Sequence, residues 1–204
     1  MNDLEIFLHD LFELDNNQYI EVRPHNNGRM VYKDWTFFKS VNDLARSEII
    51  LNAENDIYFG VSSRAISNEN VIEYDTFRCL AFDMDNIISS YPDFSCDDVF
   101  DEFKKVELLP NYIISSGNHI HSYILLQPTK DISTIMKVTN VIAQMIGSDL
   151  KAIKKSQFMR LPGTFNNTSH VEILYRNANP RHSLNDIQTL LNMLTITGRI
   201  GGDK

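Results

Sequence analysis

The run FRCLAFDMD at residues 77–85 constrains the fold more than any other stretch of this chain. Its apolar part reads as a strand buried on both faces, and it closes on Asp83 and Asp85 with a single methionine between them. Successive side chains on a strand point to opposite faces, so Asp83 and Asp85 share one face while Phe82 and Met84 take the other. Two carboxylates so close repel, which raises the pKa of one of them unless a cation stands between. A divalent ion that prefers hard oxygen donors, Mg²⁺ or Mn²⁺, supplies that cation. A pair of exposed strand-end aspartates is the alternative.

The chain around this run has 204 residues, enough for one substantial core or two small modules sharing a site. Apolar content of 43% and charged content of 23% are those of an ordinary soluble protein. No apolar run is long enough to span a membrane, and the acidic start MNDLEIFLHDLFEL has no signal-peptide pattern, so no membrane partner is expected. Cys79 and Cys96 form neither a metal-ligand spacing nor a disulfide framework, which points to a cytoplasmic protein with free thiols.

Charge is divided unevenly. Residues 150–204 hold eight Lys/Arg against three Asp/Glu, whereas residues 1–149 hold 11 against 24. An acidic part able to collect metal ions is thus joined to a basic part able to hold phosphates.

Helical spacing places Leu4, Phe7, Leu8 and Leu11 on one stripe. QYIEVRP and NDIYFGVS read as strands, and the segment around 40–52 as a helix. After the aspartate strand come a helix opened by Ser95, two strands in NYIISS and IHSYILLQP, and a long helix over about 131–147. A basic segment, a strand HVEILYR and a last helix opened by Ser183 complete the pattern, which is mixed α and β.

Two further segments carry chemistry. In SSGNHIHSY, residues 115–123, glycine and asparagine turn between two strands, with Ser116 and His121 on either side and His119 on the face of His121. A hydroxyl and an imidazole beside a glycine turn suit a phosphate; a polar hairpin tip is the alternative. In QFMRLPGTFNN, residues 157–167, Arg160 precedes a Leu-Pro-Gly turn and offers a planar fork of donors to phosphate.

Taken in order, the three segments resemble the archaeo-eukaryotic primase superfamily, more closely the primase-polymerase domains of plasmid, phage and mobile-element replication proteins. That family has an Asp-x-Asp/Glu strand, a Ser-Gly-x-Gly-x-His turn, a third acid, and an Arg-(Leu/Ile/Val)-Pro-Gly-Thr-x-Asn stretch. The matching positions are Asp83 and Asp85, Ser116 to His121, Asp149 in IGSDLK, and Arg160 to Asn166. YIEVRP and YFGVSSR are similar to the family's opening strands, bringing in Arg23 and Arg64, and the resemblance covers roughly residues 18–176. His119 replaces the family's second glycine, and Thr168 stands where a lysine commonly follows the Asn.

The resemblance implies an α+β archaeo-eukaryotic primase fold: an N-terminal α/β module and an RNA-recognition-motif-like module, with the catalytic cleft between them. It implies a primase-polymerase catalytic domain over 1–198, with 199–204 a linker or truncated tail. The implied activity is template-dependent nucleotidyl transfer by two-metal-ion catalysis, making primers or extending DNA during replication. Asp83, Asp85 and Asp149 are then the catalytic acids and ligands of Mg²⁺ or Mn²⁺, and Ser116, Gly117, His121, Arg160 and Arg64 bind the nucleotide or template phosphates. Asp149 also has the setting of a helix N-cap ahead of LKAIKK. Partners would be single-stranded DNA template, NTPs or dNTPs, and a replicative helicase. The sequence holds no Gly-x-x-x-x-Gly-Lys loop, so an ATPase motor is expected beyond Lys204 or in another chain.

Three rival readings use parts of the same evidence. His119 and His121 form the His-hydrophobe-His pattern of rolling-circle replication endonucleases, which need a tyrosine nucleophile; Tyr123 and Tyr175 are the downstream candidates. Asp-Met-Asp alone matches the metal motif of nucleotide-sugar glycosyltransferases, but leaves the other two segments unused. A non-catalytic replication-initiation module is the third, and its expected sign is the loss of an acid, which is not seen.

Overall fold

Asn2 opens the first helix with a capping box: it accepts the Glu5 N–H at 2.8 Å, and the Glu5 carboxylate accepts the Asn2 N–H at 3.0 Å. The helix, α1 (Asp3–Leu11), buries Leu4, Phe7, Leu8 and Leu11 on one stripe, as their spacing predicts. This computed structural model describes residues 2–14, 17–26, 29–30, 35–51, 56–68, 73–84, 95–117, 119–166 and 169–197.

Strands β1 (Ile20–Asn26), β2 (Arg29–Met30) and β3 (Thr36–Phe38) follow, then short helices α2 (Val41–Ala45) and α3 (Glu48–Leu51). Next come β4 (Asp56–Gly60), β5 (Ser62–Arg64), β6 (Tyr74–Asp83) and helix α4 (Cys96–Lys104). The chain continues through β7 (Tyr112–Ser115), β8 (Ile120–Thr129), α5 (Ile132–Met145) and a 3₁₀ turn at Leu150–Ala152. It ends in β9 (Phe158–Arg160), β10 (Phe165–Asn166), β11 (Ser169–His170), β12 (Glu172–Arg176) and α6 (Leu184–Ile196).

These strands form two antiparallel sheets and a small hairpin. The first sheet runs β2-β1-β4-β9, with β3 also on β1; the second runs β12-β7-β8-β6-β5; β10 and β11 pair alone. The segment NDIYFGVS, expected as one strand, divides at Val61: β4 belongs to the first sheet and β5 to the second. The helix expected over 40–52 also divides. Ser47 turns its N–H and its hydroxyl onto the Leu44 carbonyl, at 3.0 and 2.8 Å, and this local bonding ends α2 before α3 begins.

Alternation along β6 separates two cores. Cys79 and Ala81 pack with α1 and the inner residues of the first sheet, Val22, Phe59 and Met159. Leu80, Phe82 and Met84 pack with α4, α5 and α6. The Phe7 ring binds the first core together, meeting Phe59, Tyr112 and Tyr123 edge-on at 5.7, 5.1 and 5.3 Å. At the end of α1, the Asp10 carboxylate accepts from the Tyr112 hydroxyl and from Arg176 at 3.3 Å, and its carbonyl accepts from Arg181 at 2.7 Å. Among the described residues, no helix is long and apolar enough to cross a membrane, and Cys79 and Cys96 are free thiols.

Candidate active site

Asp83 is the last residue of β6, on the face that looks toward the first sheet, and His121 on β8 is its register partner. Ser116 sits just past β7 on the same side, its hydroxyl 3.3 Å from His121 Nε2. The β7–β8 turn closes when the Ser116 N–H donates to the His119 carbonyl at 2.8 Å; Gly117, at φ +90°, supplies the left-handed step. Ser116 and His121 are almost wholly buried, so the pair forms the floor of the site beside Asp83.

Asp149 arrives at the same place by main-chain bonding. Helix α5 ends in a Schellman motif, with Gly147 at φ +70° and the Ser148 N–H on the Ala143 carbonyl at 2.9 Å. That reversal delivers Ser148 and Asp149 to the end of β6. The Asp83 carbonyl accepts the Ser148 hydroxyl at 2.7 Å and the Asp149 N–H at 2.8 Å. The N-cap expected of Asp149 is present on the 3₁₀ turn, where Oδ1 accepts the Lys151 N–H at 2.9 Å. Oδ2 accepts from none of the described residues. Two partly exposed aspartates are therefore joined through the main chain, and carboxylate oxygens are the hard donors that Mg²⁺ or Mn²⁺ prefers. The third expected ligand, Asp85, lies outside the described residues, as do Thr168 and the tail 199–204. Among the described residues no three His, Cys, Asp or Glu side chains gather into a metal cluster.

The outer face of the first sheet is polar. Arg160 is the last residue of β9, paired with Tyr58 on β4, rather than part of a free turn. Its guanidinium lies 5.2 Å from the Tyr58 ring and 3.6 Å from the Asp56 carboxylate. The His25 ring stacks on Tyr58 at 4.5 Å. Burial raises the Tyr58 phenol above its ordinary pKa; Arg160 opposes this, while the charges of Asp56 and Asp83 add to it. The residue before β9 ties the first sheet to the end of β6. Gln157 links them: its side chain donates to the Ala81 carbonyl at 3.1 Å, and its own carbonyl accepts the Val61 N–H at 3.2 Å. Sequence reasoning gave no role to Gln157, Asp56, Tyr58 or Ser148, although all but Asp56 lie within the matched segments.

Arg64 is placed differently from the expectation. Its side chain is 1% exposed and ion-paired to Glu21, which also holds Arg23 through Nε at 2.8 Å. Arg23 is in turn stacked between Trp35 and Phe158, at 3.6 and 3.8 Å. With its charge engaged inside this buried triad, Arg64 on β5 is tied to Glu21 on β1 and braces the two sheets. A cleft of about 460 Å³ beside His9, Lys39 and Arg181 contains none of the expected site residues.

The nicking-endonuclease reading fails on geometry. Tyr123 is fully buried against Phe7, and burial pushes its phenol well above its ordinary pKa, so it cannot reach a phosphodiester. Tyr175 pairs with Ile113 and packs on Phe100 at 4.8 Å, in the helix-side core, on the opposite face from His121. Tyr123→Phe is expected to leave activity on nucleic acid unchanged and the melting temperature equal or higher. The buried hydroxyl has no hydrogen-bond partner among the described residues, a state that costs about 1–3 kcal/mol. A lower melting temperature, or a covalent DNA adduct on either tyrosine, is the contrary result.

Neither a protein-family model nor a curated protein matches the sequence. Solved structures do match. The AEP domain of the primase-polymerase of cyanophage S-2L superposes with a TM-score of 0.66, over 92% of this chain and 96% of that one, at 14% identity. The chain has the archaeo-eukaryotic primase fold. The same primase fold aligns with primase RepB' at a TM-score of 0.59 and 14% identity, covering 96% of this chain and 63% of that one. It aligns with the catalytic domain of primase RepB' in complex with initiator DNA at 0.57 and 13% identity, covering 98% of this chain and 100% of that one.

Proposed function

We propose that the protein is a primase-type nucleotidyltransferase, in which residues 1–198 form one catalytic domain that copies a single-stranded DNA template from NTPs or dNTPs. The observation that supports this reading is the main-chain bond from Asp149 to the Asp83 carbonyl, which joins two aspartates from distant segments in a primase fold. Asp83 and Asp149, with Asp85, would hold Mg²⁺ or Mn²⁺. When bound, such ions activate the attacking 3′-hydroxyl and neutralise charge on the leaving pyrophosphate.

The chain's own residues supply the rest. Arg160 donates to the nucleotide phosphates, and the Ser116–His121 pair, at the floor beside Gly117, fixes their seat. Exposed Lys151, Lys154 and Lys155 follow Asp149 directly and extend the positive charge toward a template strand. A replicative helicase, in the same chain or a partner, would supply that strand.

The test is incubation of the purified protein with single-stranded DNA, labelled nucleotides and Mg²⁺ or Mn²⁺, with products resolved by length. Template-dependent products, with or without a supplied primer, are expected. Their absence under both metals, together with no nucleotide binding, overturns the reading.

A further inference from the structure

Arg160 has an unusual hydrogen-bond inventory. A guanidinium carries five N–H donors, yet here none reaches an acceptor among the described residues, and Nε is buried without a partner. Its contacts are the Tyr58 ring and the Asp56 carboxylate, and at 3.6 Å the latter is a charge contact rather than a hydrogen bond. The side chain is only 15% exposed, so it is withdrawn from water while its donors stay unengaged. Such a group is costly to keep unless a ligand completes it.

Asp56 is equally out of place by local rules. Aspartate is disfavoured in strands, yet this one begins β4 and is 7% exposed. It stands opposite His25, and its charge acts on both His25 and Tyr58. The carboxylate is thus set in a cationic and aromatic group, Arg160, His25 and Tyr58, on one face of the first sheet.

We propose that Asp56 is a positioning residue for Arg160: it holds the guanidinium by charge over the Tyr58 ring, leaving the donors free for an oxygen of the nucleotide's polyphosphate. A direct bidentate pair would immobilise Arg160 equally well but would occupy the donors the substrate needs. The longer separation orients without competing. This inference rests on the proposed reading of Arg160 as a phosphate ligand.

The experiment is a double-mutant cycle on the full chain, reading nucleotide KM and kcat in primer extension and nucleotide-induced shifts in melting temperature. Asp56→Asn, which keeps the side-chain volume, is expected to raise KM about tenfold with kcat within about twofold. Arg160→Ala should raise KM at least as much, and adding Asp56→Asn to it should change KM by less than about twofold. Asp56→Glu, which retains the charge, should recover part of the loss and serves if Asp56→Asn folds poorly. Fully multiplicative effects of the two substitutions, or wild-type KM in Asp56→Asn, overturn the positioning role. If the wild-type protein is active and only the coupling is missing, this inference alone fails; if it neither binds nor incorporates nucleotides, the functional reading fails first.

Discussion

Asp83→Asn is expected to lower nucleotide incorporation by at least about 10²–10³-fold while leaving the fold unchanged. The loss follows from removing one of the charged ligands that would hold the divalent ions. The stability follows from where the structural ties are made: Ser148 and Asp149 donate to the Asp83 carbonyl, which the substitution keeps. Incorporation assays paired with thermal melts check both halves. Activity within a few-fold of wild type, in a protein that melts normally, would remove Asp83 from the metal site.

Glu21→Gln should act in the opposite way, through stability. Glu21 is fully buried between Arg23 and Arg64, and Arg64 is itself 1% exposed. Removing the carboxylate charge leaves two guanidiniums facing each other out of water, and breaking a buried pair in this manner costs about 3–5 kcal/mol. For a chain of this length that corresponds to a fall in melting temperature of roughly 6–20 °C. A shift below about 2 °C would mean that water reaches the triad and screens it.

The parts of the fold that are local were legible in the sequence. The stripe of α1, the serine starts of α4 and α6, and the alternation that turns Met84 into one core and Asp83 toward the other all rest on neighbours a few residues apart. What was hidden depends on distant pairing. Strand β9 is three residues long, too short for any period, and becomes a strand only because β4 offers an edge. Motif matching brought Arg64 forward as a phosphate ligand, yet nothing in YFGVSSR announces that Glu21, on another strand, takes up its charge.

The candidate site divides along the same line. Alternation put Asp83 and Asp85 on one face and His119 with His121 on another, but that Asp83 stands beside His121 and Ser116 follows from the pairing of β6, β8 and β7. The proximity of Asp149 to Asp83 depends on a helix end and a main-chain bond between segments 66 residues apart, which only the resemblance suggested. Asp56 and Tyr58 carried no signal, since an aspartate and a tyrosine in an apolar run are also what an exposed strand face contains.

The bonds at the end of α1 have a consequence for how the chain is made. Asp10 lies in α1, yet two of its partners, Arg176 and Arg181, follow 166 and 171 residues later. Val171, which closes the same core, is likewise late. During translation, the apolar stripe of α1 therefore emerges long before its final neighbours exist, and contacts of such separation form slowly. The stripe can meet Val22, Leu44 and Phe59 early, but the core around it closes only when Val171 arrives. A truncation ahead of Arg176 should leave Asp10 without both guanidiniums and loosen the seat of α1.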